Sequence, residues 1–122
     1  ALTAVLLLAG CSSAPSGPVE YDTVEDLRAA FVGAGGTCDS WEAGTAVGAW
    51  AQYGNCGDLG DPDEAVLSIY TSDDDLQSSV DGVKDSGSDN MTQMLVGPNW
   101  IIQAADVAKV RETLGGTVVK VG

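Results

Sequence analysis

The chain has 122 residues, which suits one domain, and carries 18 acidic against 5 basic residues for a formal net charge of -13. Nucleic-acid binding is excluded on that balance, because neutralising phosphates needs clustered Lys and Arg, and Arg28, Lys84, Lys109, Arg111 and Lys120 are scattered. Electrostatic adsorption to anionic lipid is disfavoured for the same reason, and the absence of histidine removes the commonest general base and transition-metal ligand.

Residues 2–9 form an apolar run, too short to cross a hydrocarbon core of about 30 Å, and read as the apolar region of a signal peptide. The chain starts with Ala and lacks a basic leader segment, so this peptide is expected to be truncated at its start. The run ends in Leu8-Ala9-Gly10-Cys11. An aliphatic residue, a small residue, glycine and cysteine in this order resemble the lipobox of bacterial lipoproteins. The resemblance implies cleavage before Cys11 and diacylglyceryl transfer to its thiol. Two acyl chains give the double signal that stable anchoring requires. Residues 12–18 are small and polar with Pro and Gly, as in a flexible linker. The expected division is therefore 1–10 signal peptide, 11–20 lipidated cysteine and linker, and 21–122 globular domain.

In the domain, Thr23 can cap a helix whose apolar residues Val24, Leu27, Phe31 and Ala34 recur at three and four, with the segment Gly33 to Gly36 to stop it. Cys38 and Trp41 follow in a loop. Residues 46–53 read as a strand weakened by Gly48, and 54–64 as an acidic turn-rich loop carrying Cys56. With Cys11 assigned to lipid, Cys38 and Cys56 form a pair, and an exported domain makes a structural disulfide the expectation. Residues 65–70 are an apolar strand. Ser72 then caps a second helix with Asp73, Asp74 and Asp75 in its first turn and Leu76, Val80 and Val83 as its buried stripe. Residues 92–96 and 100–103 read as a hairpin about Gly97-Pro98-Asn99. A third helix is expected over 106–114, ended by Gly115-Gly116, and a last strand over 117–121.

This order predicts an α+β fold: an antiparallel sheet of four to five strands with helices on one face. From Ala65 onward it matches a ferredoxin-like βαββαβ core, preceded by a helix and a strand. A repeated helix-strand-strand unit is the alternative parse.

Chemical motifs are weak. Asp58, Asp61, Asp63 and Glu64 share a loop that could attract calcium, but they lack cation-loop spacing, and a solvated acidic loop is the simpler reading. The same holds for residues 85–90. Asp73 to Asp75 are explained by helix capping rather than by catalysis. Residues 33–36 follow a helix, the wrong context for a phosphate loop. Trp41, Trp50 and Trp100 could stack on sugars, though core packing is the usual use of tryptophan, and Trp41, near the cysteine pair, is the best surface candidate. No Ser-His-Asp arrangement or Ser-x-x-Lys spacing exists. We therefore expect no catalytic residues, no metal and no cofactor. A partner surface is expected around Trp41, Asp61 and Asp63, and an anchor at Cys11.

The lipobox, the cysteine pair and the Gly-Pro-Asn-Trp-Ile segment at 97–101 together resemble the small lipoproteins of actinobacteria. That resemblance implies the extracytoplasmic face of a membrane and a non-enzymatic binding or interaction role toward an envelope protein or ligand. The alternatives are an envelope hydrolase using acidic residues and a prophage-type superinfection-exclusion lipoprotein.

Overall fold

The computed structural model describes residues 18–44, 50–58, 63–85, 93–105 and 107–121. Helix α1 (Val24–Gly33) starts where the Thr23 hydroxyl accepts the Asp26 amide at 3.1 Å, and it buries Val24, Leu27 and Phe31. A β-carbon at Gly36 would fall into the Phe31 ring, so only glycine lets the chain turn back across the end of this helix. The entry to α1 is also held from the sheet. The Gln52 amide oxygen accepts the Val24 amide at 2.8 Å, and its nitrogen donates to the Asp22 carbonyl at 3.0 Å. Replacing Gln52 by Ala removes both bonds and leaves a buried helix-start amide unmet. We expect Gln52→Ala to lower stability by roughly 2 kcal/mol, read by urea denaturation. A loss below a few tenths would show that water replaces the side chain.

Four further elements lead to the centre of the sheet. They are β1 (Trp41–Gly44), β2 (Trp50–Cys56), β3 (Ala65–Tyr70) and α2 (Asp73–Lys84). The Ser72 hydroxyl caps α2 by accepting the Asp75 amide at 3.1 Å, and Asp73, Asp74 and Asp75 occupy its first turn, where the helix dipole favours negative charge. Then come β4 (Gln93–Val96), β5 (Trp100–Ala104), α3 (Ala108–Leu114) and β6 (Thr117–Lys120). Helix α3 has no side-chain cap at its start and ends at Gly115, where φ is 75°.

The class is α+β, as expected, but the sheet has six strands in the order β1-β2-β3-β5-β4-β6, every neighbouring pair antiparallel. Two strand expectations change. Trp41, placed in a loop by the sequence, opens β1. Cys56, also placed in a loop, ends β2 opposite Trp41.

The ferredoxin-like arrangement is also corrected. It needs the last strand beside β3. That edge is taken by β2, and β6 pairs with β4 instead, Val119 opposite Met94 and Val118 opposite Leu95.

This change moves a helix. The chain crosses from β3 to β4 through α2, passing over β5, and from β5 to β6 through α3, passing over β4. Both crossings step the same way across the sheet, yet β3 and β5 run in opposite directions. Crossovers of one hand then place their helices on opposite faces. The packing follows this logic, so the expectation of helices on one face is overturned. On one face α1 and α3 bury Leu27, Phe31, Val107 and Val110 against Leu67, Ile69, Leu95, Trp100 and Ile102. On the other, α2 buries Leu76 and Val80 against Tyr70, Met94 and Ile101, with Val121. Ile101 and Ile102 are both buried because the central strands are covered on both sides.

The segment ahead of α1 is tied to the β4–β5 turn. The Trp100 indole N–H donates to the Val19 carbonyl at 2.8 Å. The Asn99 side chain accepts the Tyr21 amide at 3.1 Å and donates to the Tyr21 carbonyl at 2.8 Å. Contacts of the domain therefore reach back to Val19, two residues ahead of the expected boundary.

Candidate functional site

The strands run between two poles. One holds the β4–β5 turn, the starts of α1 and α2, and the segment at Val19 and Tyr21. The other holds the end of α1, the cysteines and the start of β3.

At the second pole Cys38 and Cys56 are disulfide-bonded, with their Cα atoms 4.7 Å apart, inside the ordinary range. The bond ties the loop after α1 to the end of β2. Cys56 is fully buried and Cys38 half-buried. The Arg28 side chain from α1 closes this corner. Its Nε lies 3.4 Å from Cys38 Sγ, and its guanidinium carbon 5.4 Å from the centre of the Trp41 ring, a cation–π contact.

The sequence-predicted surface residues separate in the fold. Trp41 is half-buried rather than a free surface ring. It packs on the core of the α1 face and lies across Gly54, whose missing side chain makes room for the indole. Its exposed side lines a hollow of about 280 Å³ with Ser40, Glu42, Asn55 and Asp58. Asp63 is exposed and belongs to a different cleft of about 230 Å³, whose walls include Phe31, Thr37, Glu64, Ala104 and Lys109. Trp41 and Asp63 thus share a pole but not a cavity. Asp61, Cys11 and residues 86–90 of the second acidic loop lie outside the described residues.

Glu64 corrects the picture of a wholly solvated acidic loop. It is only 2 % exposed, directly before β3, and borders the cleft that Gly35, Gly36 and Thr37 also line. Its position directly before an apolar strand was the available signal. Both hollows are smaller than the roughly 300–1,000 Å³ usual for small-molecule sites.

Trp100 is fully buried, as its place before Ile101 and Ile102 suggested. Asp73, Asp74 and Asp75 line up along the first turn of α2 and do not face one another across a cavity. Among the described residues no three His, Cys, Asp or Glu side chains converge as a metal site, and no helix is long and apolar enough to cross a membrane. Burial raises the Tyr21 phenol above its usual pKa of 10.0. The neutral phenol is therefore the form the fold favours, and any stability it contributes is present below pH 10 and is lost as the pH rises through the raised pKa. Comparison of the chain with protein-family models, curated proteins and solved structures found no match.

Proposed function

We propose that this is a lipid-anchored domain on the extracytoplasmic face of a cell membrane, with a non-enzymatic role in binding an envelope protein or ligand. The observation that carries the reading is Leu8-Ala9-Gly10-Cys11 directly after the apolar run of residues 2–9. Three features support it. The Cys38–Cys56 disulfide suits an oxidising compartment and leaves Cys11 as the third cysteine. The acidic first turns of α1 and α2 are accounted for by capping and by the helix dipoles. The two hollows near Trp41 and Asp63 are small, at about 280 and 230 Å³, which suits contact with a larger partner better than enclosure of a substrate.

The test is made in cells. The precursor should gain the mass of a diacylglyceryl group at Cys11, incorporate labelled palmitate, and sediment with membranes. A Cys11→Ala protein should lose the label and move almost entirely to the soluble fraction. A Cys11→Ala protein that stays with the membranes as fully as its parent would defeat the reading.

A further inference from the structure

We propose that the open edge of β1 receives an extended, basic segment of a partner protein, which pairs antiparallel with it as a seventh strand and sets a lysine or arginine opposite Glu42. The inference rests on the reading of this domain as a non-enzymatic binding module, and it gives that module's partner a chemistry.

The first premise is the backbone. Strand β1 ends the sheet and, among the described residues, pairs with β2 alone. Which of its groups face outward follows from the register. Trp41 stands opposite Cys56, so Ser40 stands opposite Gly57, and the Gly57 amide donates to the Ser40 carbonyl at 3.0 Å. That bond marks a hydrogen-bonded pair, and such pairs alternate along an antiparallel ladder. Glu42 and Gly44 therefore turn their amides and carbonyls toward β2. Trp41 and Ala43 turn theirs outward. An added strand meets two donors and two acceptors there, at the spacing of a strand.

The second premise is the surface beside that edge. Side chains alternate across a strand, so with Trp41 packed on the α1 face, Glu42 and Gly44 belong to the face of α2. On that face the core under α2 is built from β3, β4 and β5 with Val119 and Val121, and it does not extend to β1. Glu42 is exposed, and Asn55 opposite it is half-buried. The Tyr53 ring lies over Gly44, where a β-carbon would fall into the ring. Glu42, Gly44, Tyr53 and Asn55 line a hollow of about 410 Å³. The hollow bounded by Ser40 and Asp58 shares Glu42 and Asn55 with it, so the two adjoin along β1.

The third premise is charge, which selects the occupant. In an added antiparallel strand the residue opposite Glu42 stands in a non-hydrogen-bonded pair, where side chains are closest. An opposite charge there stabilises the pairing, and a like charge weakens it. Two residues along on the same face, a long basic side chain meets the Tyr53 ring in one direction, whose face attracts a cation, and Asp58 in the other. The same rule disfavours a second copy of the chain. Two fully paired β1 strands would put Glu42 opposite Glu42 and join two bodies of -13 each. A basic segment meets neither obstacle.

The test uses the full chain in a neutral detergent and, as probe, a blocked synthetic peptide that alternates lysine and valine. Amide exchange is followed residue by residue by NMR. Saturating peptide should slow exchange at Trp41 and Ala43 by at least about tenfold and leave Glu42 and Gly44 unchanged. The same peptide with methylated valine nitrogens should lose this effect, because the valine N–H groups are the ones that face the outward carbonyls. A peptide with glutamate in place of lysine should not bind. Glu42→Lys should weaken binding by about fivefold or more, while Glu112→Lys, the same charge change at an exposed position of α3, should stay close to the parent. No binding of the lysine peptide, binding without slower exchange at Trp41 and Ala43, or equal weakening by the two substitutions overturns the proposal. Slower exchange at these two amides that grows with protein concentration alone would assign the edge to a second copy and overturn it as well. Attachment through Cys11 plays no part in this readout, so failure of the anchoring reading would show separately, as an unlipidated precursor in cells.

Discussion

Replacing Trp100 by Ala should cost roughly 3–5 kcal/mol, a large share of the 5–15 kcal/mol that holds a typical domain together. The indole is fully buried at the start of β5 and belongs to the core of the α1 face. Gly97, at the other side of the turn, has no side chain because the indole occupies that space. The ring also meets Tyr21 with centroids 6.1 Å apart, and its N–H is the donor that holds the Val19 carbonyl. Truncation therefore opens a cavity and frees the segment ahead of α1 in one step. Trp100→Phe separates the two effects. It keeps most of the apolar volume, loses the hydrogen bond, and should cost clearly less than the alanine substitution. Chemical denaturation of the three proteins gives both values. A Trp100→Ala protein within about 1 kcal/mol of its parent would mean that this corner is not a keystone of the fold.

Removing the disulfide should be nearly as damaging. A Cys38→Ser/Cys56→Ser protein should lose about 3 kcal/mol, because the bond closes a loop with a sequence separation of 18 and its absence restores that freedom to the unfolded chain. For a domain of this size the melting temperature should fall by roughly 10–20 °C. Serine at position 56 adds to the loss, since Cys56 is fully buried among apolar side chains. The native bond should also resist reduction. A thiolate from solvent can approach the half-buried Cys38, but the displaced thiolate would then be Cys56, which lies in the apolar core where charge is disfavoured. Alkylation of the native protein in dithiothreitol should therefore lag far behind alkylation in dithiothreitol with denaturant. Equal rates, or a double serine protein with unchanged melting temperature, would show that the staple contributes little.

Both effects concern residues that local pattern brought forward. The pairing of Cys38 with Cys56 followed from three cysteines and a motif that claims one of them. The burial of Trp100 followed from the apolar neighbours Ile101 and Ile102. The helices over Val24–Gly33 and Asp73–Lys84 were legible from a capping hydroxyl and apolar residues three and four apart, both of which act within a few turns of chain. The candidate surface was less legible. Trp41 looked like an exposed ring because its sequence neighbours are polar, yet its partners, Gly54 and Arg28, come from other elements. Glu64 looked solvated for the same reason and is buried at the start of β3.

The amino-acid sequence by itself determined the acidic charge, the α+β class, the helix starts, the cysteine pair and the expectation of an anchor at Cys11. Each depends on composition or on residues close together along the chain. Only the tertiary structure decided which strand fills each edge of β3 and β4, and hence which face of the sheet each helix covers. Strand order is set by competition between distant segments. Here β1 and β2 claim the edge of β3 that a ferredoxin-like fold reserves for its last strand, and β6 pairs with β4. Once β6 stands there, the hand of the crossover carries α3 to the face opposite α2. No periodicity within β6 or α3 records that choice, because Val118 and Val119 supply an apolar side chain to each face whichever neighbour the strand finds.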